Sequence, residues 1–389
     1  MNLYSYISRL ISKIRYKIFR LISLLLLGRE GGQSIVGQCV SIDLEFANTE
    51  FVRKRILDRK FLSNAVVQEY NLKNVPECWK TLFSRVALFS RRYAYILKDV
   101  VVGPDSGVIY VPPKKFCSGD GLVFIQSVCN HYFFFQSGIQ EVMRSAKVTN
   151  IEFPVCPMPV IGYYHEMFEG LLHVMKARMI LGNIKVLVSS RRPRYIDEML
   201  RFIGVDSGDV VYSNSPLHVK KAVLIPRWSD CGENLKDDVC EFRDYLVSRL
   251  PQNITGAKKL YISRAKSRRS LPDEKGIEKI LKGKGFEVAY FEDMSFVEQL
   301  KSIRAAEVIV SPHGAGLSNI IVAKPGAKVV EIMTQGWANN CYGHLSASLD
   351  LDYTCIDADE GSFMDWVENL DLYTISCPEK VGVHCAAGV

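Results

Sequence analysis

The chain has 389 residues, enough for two domains, and its 48% hydrophobic and 23% charged residues are typical of a globular protein with a complete core. The formal net charge is +7, but five of these charges come from residues 1–20, which contain no acidic residue. The nearly neutral remainder excludes a nucleic-acid-binding protein defined by a basic surface. The 11 cysteines include no C-x-x-C pair and no zinc-type spacing, so we expect reduced thiols in a cytosolic protein.

Residues 1–30 place apolar side chains at three- and four-residue steps, with basic residues between them. This pattern predicts a basic amphipathic helix that lies on an anionic membrane surface. Its uninterrupted apolar run is far shorter than the roughly 20 residues of a membrane span, and no small-residue cleavage site follows. A helix docked on the protein's own core and an N-terminal span are the alternatives. We expect residues 1–27 to hold the protein peripherally on the inner, cytoplasmic face of the cell membrane.

Residues 31–253 are predicted to form an N-terminal α/β domain. Its first part has short strand-like runs at 100–102, 108–111 and 122–127, without a catalytic motif. The segment IGYYHEMFEGLLHVMKARMILG then predicts one long helix. His165 and Glu169 are four residues apart, hence on one face of that helix, with Glu166 beside them. The rest alternates, with strands predicted at 184–189, 209–212 and 220–225 and helices at 193–202 and 233–250.

Residues 254–389 are predicted to form a second α/β domain. A strand at 259–263 leads into a turn that contains Arg264, Arg268 and Arg269. Helices and strands then alternate, which indicates a parallel sheet. Beyond the central stretch described next, a helix through 349, a strand at 353–356 and a helix at 365–370 are expected.

The central stretch is 307–333, which reads as strand, glycine-bearing turn, short helix, tight turn and strand. Pro312 is expected to end the first strand, and the turn that follows is His313-Gly314-Ala315-Gly316. Glycine lets a backbone turn sharply and lets a ligand approach closely, and the first amides of the next helix form an anion site. The second strand contains Glu331. The alternative interpretation is an ordinary βαβ crossover, because short glycine motifs are often coincidental.

Both the arginine-rich turn and the glycine-bearing turn should leave the sheet at its carboxyl edge, where ligands bind in open α/β sheets. Guanidinium groups and helix amides would then converge on one point, which suits a diphosphate. Charge runs are usually solvated faces, and we interpret Lys258 and Lys266 in that way.

Three motifs in order resemble those of glycosyltransferase family 61, in its bacterial capsule-type branch. SPHGAGLSN with a PGA turn and VVEIM is similar to the signature of that family. YISRAKSRR is similar to its strand-plus-arginine motif, and YYHEMFEGLLHVMKARMILG to its tyrosine-tyrosine-histidine helix, although Gly162 and Glu166 depart from the usual pattern. The resemblance covers roughly residues 155–360.

The resemblance implies a GT-B-like fold, in which two facing Rossmann-like domains enclose a cleft, with residues 31–253 on the acceptor side. It also implies inverting transfer of a sugar from a nucleotide-sugar donor to a hydroxyl of a glycan, for example a lipid-linked one in capsule or O-antigen synthesis. No cofactor and no metal are expected. Two D-x-D-like pairs near 350–359 have a common chance spacing, and arginine can neutralise a diphosphate.

For the catalytic base, which removes the proton of the acceptor hydroxyl, the candidates are His165, Glu169 and Glu166 in that order. Arg264, Arg268, Arg269 and the amides of Gly314, Ala315 and Gly316 would hold the diphosphate. His313 would contact phosphate or a sugar hydroxyl, and Glu331 resembles a ribose-binding acid. The structural alternatives are a packed helix histidine for His165 and a surface acid for Glu331.

Two other functions remain open on the same scaffold. A sugar-nucleotide epimerase or hydrolase would change the donor without an acceptor. A non-catalytic, transferase-like scaffold protein would keep the fold but not need its site residues.

Overall fold

The structure of the chain is a computed structural model. It describes the following residues: 39–43, 66–69, 86–89, 93–111, 115–117, 146–225, 234, 236–267, 269–333, 339–358 and 363–368. The amphipathic helix expected for residues 1–30, the strand expected at 122–127 and Arg268 lie outside these residues.

The described residues divide into two compact units. The first unit comprises those within Met1–Tyr70, Arg85–Leu250 and Ser295–Val297, and the second comprises those within Asn71–Ser84, Pro251–Met294 and Glu298–Val389.

In the first unit, the strands of the described residues are β1 (Cys39–Asp43), β2 (Val66–Glu69), β3 (Val86–Phe89), β4 (Tyr93–Val102), β5 (Ile109–Val111), β6 (Lys115–Cys117), β7 (Lys147–Val148), β8 (Val155–Met158), β9 (Lys185–Ser189), β10 (Val210–Ser213) and β11 (Leu217–Leu224). Nine of these described strands form a mixed sheet in the order β10-β9-β8-β11-β4-β5-β6, with β1 on β4 and β7 on β11. The β10-β9-β8-β11 part is parallel, and the part from β11 to β6 is antiparallel. The all-parallel sheet of a Rossmann-like domain is thus found in only part of this unit.

Among the described residues, the helices of the first unit lie between or after its parallel strands in the chain. Their bounds are α1 (Tyr163–His165), a π-helical segment (Glu166–Leu171), α2 (Leu172–Leu181), α3 (Arg194–Phe202), a 3-10 turn (Ser207–Asp209) and α4 (Lys236–Val247). The long helix predicted here is therefore interrupted by π geometry. Such segments are rare and frequently mark functional sites.

In the second unit, the strands of the described residues are β12 (Lys259–Ile262), β13 (Glu287–Ala289), β14 (Val308–Pro312), β15 (Lys328–Met333) and β16 (Asp352–Asp357). They form one parallel sheet in the order β13-β12-β14-β15-β16. The strand that follows β12 in the chain lies on one side of it and the next lies on the other. The strand order therefore reverses between β12 and β14, and this is where open α/β sheets bind ligands.

Among the described residues, the helices of the second unit are α5 (Glu274–Gly283), α6 (Phe296–Ala305, whose first two residues fall in the first unit), α7 (Cys341–Ser348) and α8 (Phe363–Glu368), with 3-10 helices at Phe291–Asp293 and Ala315–Val322. Helix α5 packs on the sheet because Ile277 and Leu281, four residues apart, bury their side chains in a core cluster with Tyr261, Val310 and Val330. Each such side chain contributes about 1.5–3 kcal/mol of hydrophobic stabilisation.

The α/β class predicted from the sequence is confirmed. Pro312 is the last residue of β14, as predicted, and it pairs with Ile332 on β15. The pairing of β14 with β12 stops two residues earlier, at Val310, so an amide hydrogen is no longer needed on that side. None of the described helices has the length and apolar character that a membrane crossing requires.

Candidate functional site

The turns that follow β12 and β14 meet at the reversal of the strand order. Nη1 of Arg264, just after β12, donates a hydrogen bond of 2.9 Å to the carbonyl oxygen of His313, just after β14. The convergence expected from the sequence is therefore present. The two turns form one surface at the carboxyl edge of the sheet, which we call the switch-point edge.

The guanidinium of Arg264 is half-buried and has no carboxylate partner among the described residues. Its Nε donates to Ser267 Oγ at 3.0 Å, while its Nη2 has no hydrogen bond to any described residue. Burial, and then the charge of Arg269, lower the pKa of Arg264 below its ordinary value. A bound anion would relieve both unfavourable effects and fill the open donors.

Gly314 makes room for this guanidinium. A Cβ atom on Gly314 would lie 1.4 Å from Nη1 of Arg264, although the backbone of Gly314 is extended, at φ 176°, and unstrained. A Cβ on Gly316 would meet Phe291 and Ile262 at 3.3 and 3.4 Å, which is far less severe. Gly314 is thus required because a side chain there would displace the guanidinium of Arg264, not because the turn needs a conformation that only glycine adopts.

Two buried carboxylates of helix α5 hold the arginine-bearing turn through hydrogen bonds. Glu274 accepts hydrogen bonds from the Arg264 amide at 2.9 Å and the Leu271 amide at 2.8 Å, as well as from the Tyr261 hydroxyl at 2.8 Å. Glu278 accepts from Ser263 Oγ at 2.6 Å and from the Tyr290 hydroxyl at 2.8 Å. Such a satisfied network rigidifies the turn.

His313 is held by the next two strands. Its Nδ1 hydrogen-bonds Oε1 of Glu331 on β15, and the hydroxyl of Tyr353 on β16 donates to Oε2 of the same carboxylate. Glu331 is 0% exposed. Each of its oxygens therefore already accepts one hydrogen bond, and Glu331 is not the surface acid of the alternative interpretation. Its role toward a ribose hydroxyl stays a prediction.

The glycine-bearing turn opens a 3-10 helix, Ala315–Val322, where a helix had been predicted without specifying its type. Its first internal bond runs from the Leu317 amide to the Gly314 carbonyl at 2.9 Å, so the amides of Ala315 and Gly316 lie at the donor end. The helix is anchored by Asn319, whose Nδ2 donates to Gln299 of α6 at 2.9 Å.

The candidate bases lie in the first unit, at the junction of α1 and the π-helical segment. Nδ1 of His165 and Oε1 of Glu169 are 2.7 Å apart, and their side chains are 16% and 10% exposed. The pair has the geometry predicted from its four-residue spacing. A carboxylate that orients an imidazole is the arrangement used for general bases.

Glu166 is engaged differently. It is 1% exposed and accepts hydrogen bonds from the Tyr195 hydroxyl at 2.6 Å and from the Gly162 amide at 3.2 Å. Burial raises the pKa of Glu166, and these two hydrogen bonds oppose that effect. Its carboxylate therefore ties the segment to helix α3, and of the candidate bases it is the least exposed to solvent.

The sequence did not reveal four of the residues that shape these sites. They are Tyr195, Ser267, Glu274 and Tyr353. Glu274 directly follows Ser270-Leu271-Pro272-Asp273, whose cap, proline and acid are typical of a helix start, and this is the one signal that could have indicated it. Among the predicted arginines, Arg269 lies close enough to Arg264 to lower the pKa of Arg264. Lys266, in the same turn, forms an exposed ion pair with Asp293, as expected for a solvated residue.

Comparison with known proteins adds a family and a relative. The sequence model of the family Glycosyltransferase 61 matches residues 122–330. The beta-1,2-xylosyltransferase RCN11 of Oryza sativa subsp. japonica is 34% identical over 67 residues, which are 17% of this chain and 13% of the rice protein. The chain thus matches about an eighth of the length of that relative.

Proposed function

The chain belongs to glycosyltransferase family 61, and from this premise we propose that it transfers a sugar from a nucleotide-sugar donor to a hydroxyl group of a glycan acceptor. The observation that carries the proposal is the Arg264–His313 contact at the switch-point edge. It puts a desolvated cation with open donors where a parallel sheet receives a ligand, and a diphosphate fits both its charge and its geometry.

The proposed role of the switch-point edge is to bind the diphosphate and stabilise it as it leaves. Negative charge develops on the leaving phosphate oxygen as the glycosidic bond breaks. Arg264, with Arg268 and Arg269, and the amides of Gly314, Ala315 and Gly316 would stabilise that charge. Each fixed donor at developing charge typically contributes roughly 10²–10³-fold to the rate. Because arginine supplies the positive charge, the proposed reaction needs no divalent ion, and chelators should leave it unchanged.

The proposed role of the first unit is to activate the acceptor. His165, oriented by Glu169, would remove the proton of the attacking hydroxyl, which then adds to the anomeric carbon from the face opposite the diphosphate, with inversion. This proposal assigns the chain a GT-B-like arrangement, in which the two units face each other across a cleft. The hydrogen-bonded pair of His165 and Glu169 supports the proposed role of His165 as the base.

The acceptor and the site of action are proposed from the sequence. A basic amphipathic segment at residues 1–27 suits a peripheral enzyme on the cytoplasmic face of a membrane, where lipid-linked acceptors of capsule or O-antigen type are built. Removing these residues should release the protein from anionic vesicles at low salt. Continued flotation of the shortened chain with the vesicles would contradict the membrane role.

The decisive test is Arg264→Ala in the full chain. We expect the affinity for nucleoside diphosphates to fall about 10–150-fold, since a hydrogen bond to a charged group contributes about 1.5–3 kcal/mol. Calorimetry with a panel of nucleoside diphosphates would measure the affinity, and product analysis with the matching sugar nucleotides would measure transfer.

Lys266→Ala is the matched control, because Lys266 lies in the same turn but is exposed and paired with Asp293. We expect less than about a threefold change for it. Equal affinities of the wild type and Arg264→Ala would overturn the proposal. A donor altered without any acceptor would instead indicate an epimerase or hydrolase.

A further inference from the structure

Glu331 is a buried carboxylate that has neither a lysine nor an arginine partner among the described residues. Its partners are the imidazole of His313 and the hydroxyl of Tyr353. Burying a carboxylate without a compensating positive charge is unfavourable. The one neighbour that can acquire such a charge through contact with Glu331 is the imidazole.

Tyr353 sets the direction of the carboxylate. Burial, and then the charge of Glu331, raise the pKa of Tyr353 well above its ordinary value, so this phenol remains a hydrogen-bond donor. Its bond to Oε2 leaves Oε1 for His313. With Glu331 ionised, its oxygens can only accept hydrogen bonds, and Nδ1 of His313 then carries the hydrogen of their contact.

The other ring nitrogen of His313 is available for a ligand. Nε2 has no hydrogen-bond partner among the described residues, and the side chain is 11% exposed. The other groups that face His313 are the ring of Tyr342 on α7, with centroids 5.4 Å apart, and Arg264, which binds its carbonyl. With Nδ1 protonated, a neutral ring offers only a lone pair at Nε2, which repels a phosphate oxygen. A phosphate oxygen requires a second proton, on Nε2.

We infer that Glu331, oriented by Tyr353, is a positioning residue that makes His313 bind the donor diphosphate as an imidazolium, with Nε2–H donating to a phosphate oxygen. The inference rests on the proposed function and specifies its chemistry. One proton is taken from solvent when the diphosphate binds. The negative charges of Glu331 and the phosphate then flank the ring and offset its repulsion by Arg264.

The experiment uses the full chain with ring-¹⁵N-labelled histidine and inorganic pyrophosphate as the probe, so that the identity of the donor is not needed. His313→Asn assigns the signal. We expect pyrophosphate to shift both His313 nitrogens to protonated values in the wild type. In Glu331→Gln the ring should stay neutral, and the affinity for pyrophosphate should fall about 10-fold, as expected for the loss of a charge-assisted hydrogen bond.

Two further variants separate positioning from stability. Tyr353→Phe retains the charge of Glu331 but not its orientation, so we expect a smaller loss of affinity and only partial protonation of His313. Asp352→Asn removes an exposed acid from the same strand and should change neither readout. If Glu331→Gln does not fold, the comparison of Tyr353→Phe with Asp352→Asn decides the question.

The outcomes distinguish this inference from the proposed function. If pyrophosphate binds in an Arg264-dependent way but His313 stays neutral, the imidazolium inference is wrong and the proposed function stands. Full protonation of His313 in the bound form of Tyr353→Phe or Glu331→Gln would also overturn it. If pyrophosphate does not bind at all, both fail together.

Discussion

The two units place polar groups after the ends of neighbouring parallel strands, but they satisfy those groups in opposite ways. In the first unit, the groups bind one another: His165 pairs with Glu169, and Glu166 accepts from Tyr195 and Gly162. In the second unit, Arg264 has no carboxylate partner and Nε2 of His313 no hydrogen bond among the described residues. The carboxylates of the first unit are thus paired within that unit, whereas the cation of the second has no carboxylate partner among the described residues.

This difference indicates that the two units have different roles, with the charged donor bound by the second unit and the acceptor activated by the first. An unpaired, desolvated cation is unfavourable until an anion binds, so the open groups of the second unit gain most from binding a charged ligand. A preformed histidine–carboxylate pair gains little from an anion but can accept a proton in a fixed direction. Binding of the donor and chemistry on the acceptor should therefore be separable by mutation.

The largest expected effect tests this separation directly. His165→Ala should lower kcat by about 10²–10⁴-fold, the usual contribution of a general base, and leave nucleoside diphosphate affinity within about twofold of the wild type. Steady-state transfer assays and calorimetry on the same preparation would measure both. His218→Ala, which removes another histidine of the first unit, is the control and should retain full activity. A transfer rate unchanged by His165→Ala would place the base elsewhere.

The next largest effect tests the anion-binding role of the second unit. Gly314→Ala should lower diphosphate affinity about 100-fold, because its Cβ would take the place of Nη1 of Arg264. Gly316→Ala, with contacts no closer than 3.3 Å, should have a much smaller effect. In the Arg264→Ala background, Gly314→Ala should add little. An additive loss in the double variant would show that Gly314 acts independently of Arg264.

The local parts of this architecture could be predicted from the sequence. The buried β-branched run that ends in Val310, the glycines after it and the arginines after Ile262 are signals within a few residues of each other. Right-handed βαβ crossovers then place both turns at one edge of the sheet. These rules place both turns at one edge, whereas the contact of Arg264 with His313 also requires that β12 and β14 are neighbours in the sheet.

The parts that the sequence did not reveal depend on register and pairing over long distances. Glu331 and Tyr353 meet because β15 pairs with β16, and neither residue has a local signal for that contact. The mixed sheet of the first unit depends on the antiparallel pairing of β4 with β11, more than 100 residues apart in the chain. The π-helical segment arises where Gly170 lies so close to Met158 that a Cβ would be 2.6 Å from its sulfur.

The smallest expected effect tests whether the groups of the first unit depend on one another. Tyr195→Phe removes a hydrogen bond that opposes the burial-raised pKa of Glu166, so that pKa should rise further. A carboxyl group whose pKa is raised by folding contributes stability below its unfolded pKa and loses it as pH rises through the folded pKa. Tyr195→Phe should therefore reduce the free energy of unfolding by about 1 kcal/mol near neutral pH and by less in acid.

Urea denaturation at a series of pH values would measure this difference. Tyr212→Phe is the matched control, because its hydroxyl binds Asp197, which Arg192 also holds and whose pKa is lowered rather than raised. Its effect should be small, because Arg192 still holds Asp197. The part that depends on the charge of Asp197 should be complete once the pH exceeds the ordinary pKa of an aspartate, whereas the effect of Tyr195→Phe should continue to grow above the ordinary pKa of a glutamate. A destabilisation by Tyr195→Phe that is the same in acid and at neutral pH would mean that the hydroxyl acts through packing alone. The hydrogen bond from Tyr195 would then not stabilise the ionised form of Glu166. The mutual hydrogen bonding that distinguishes the first unit from the second would not extend to this pair.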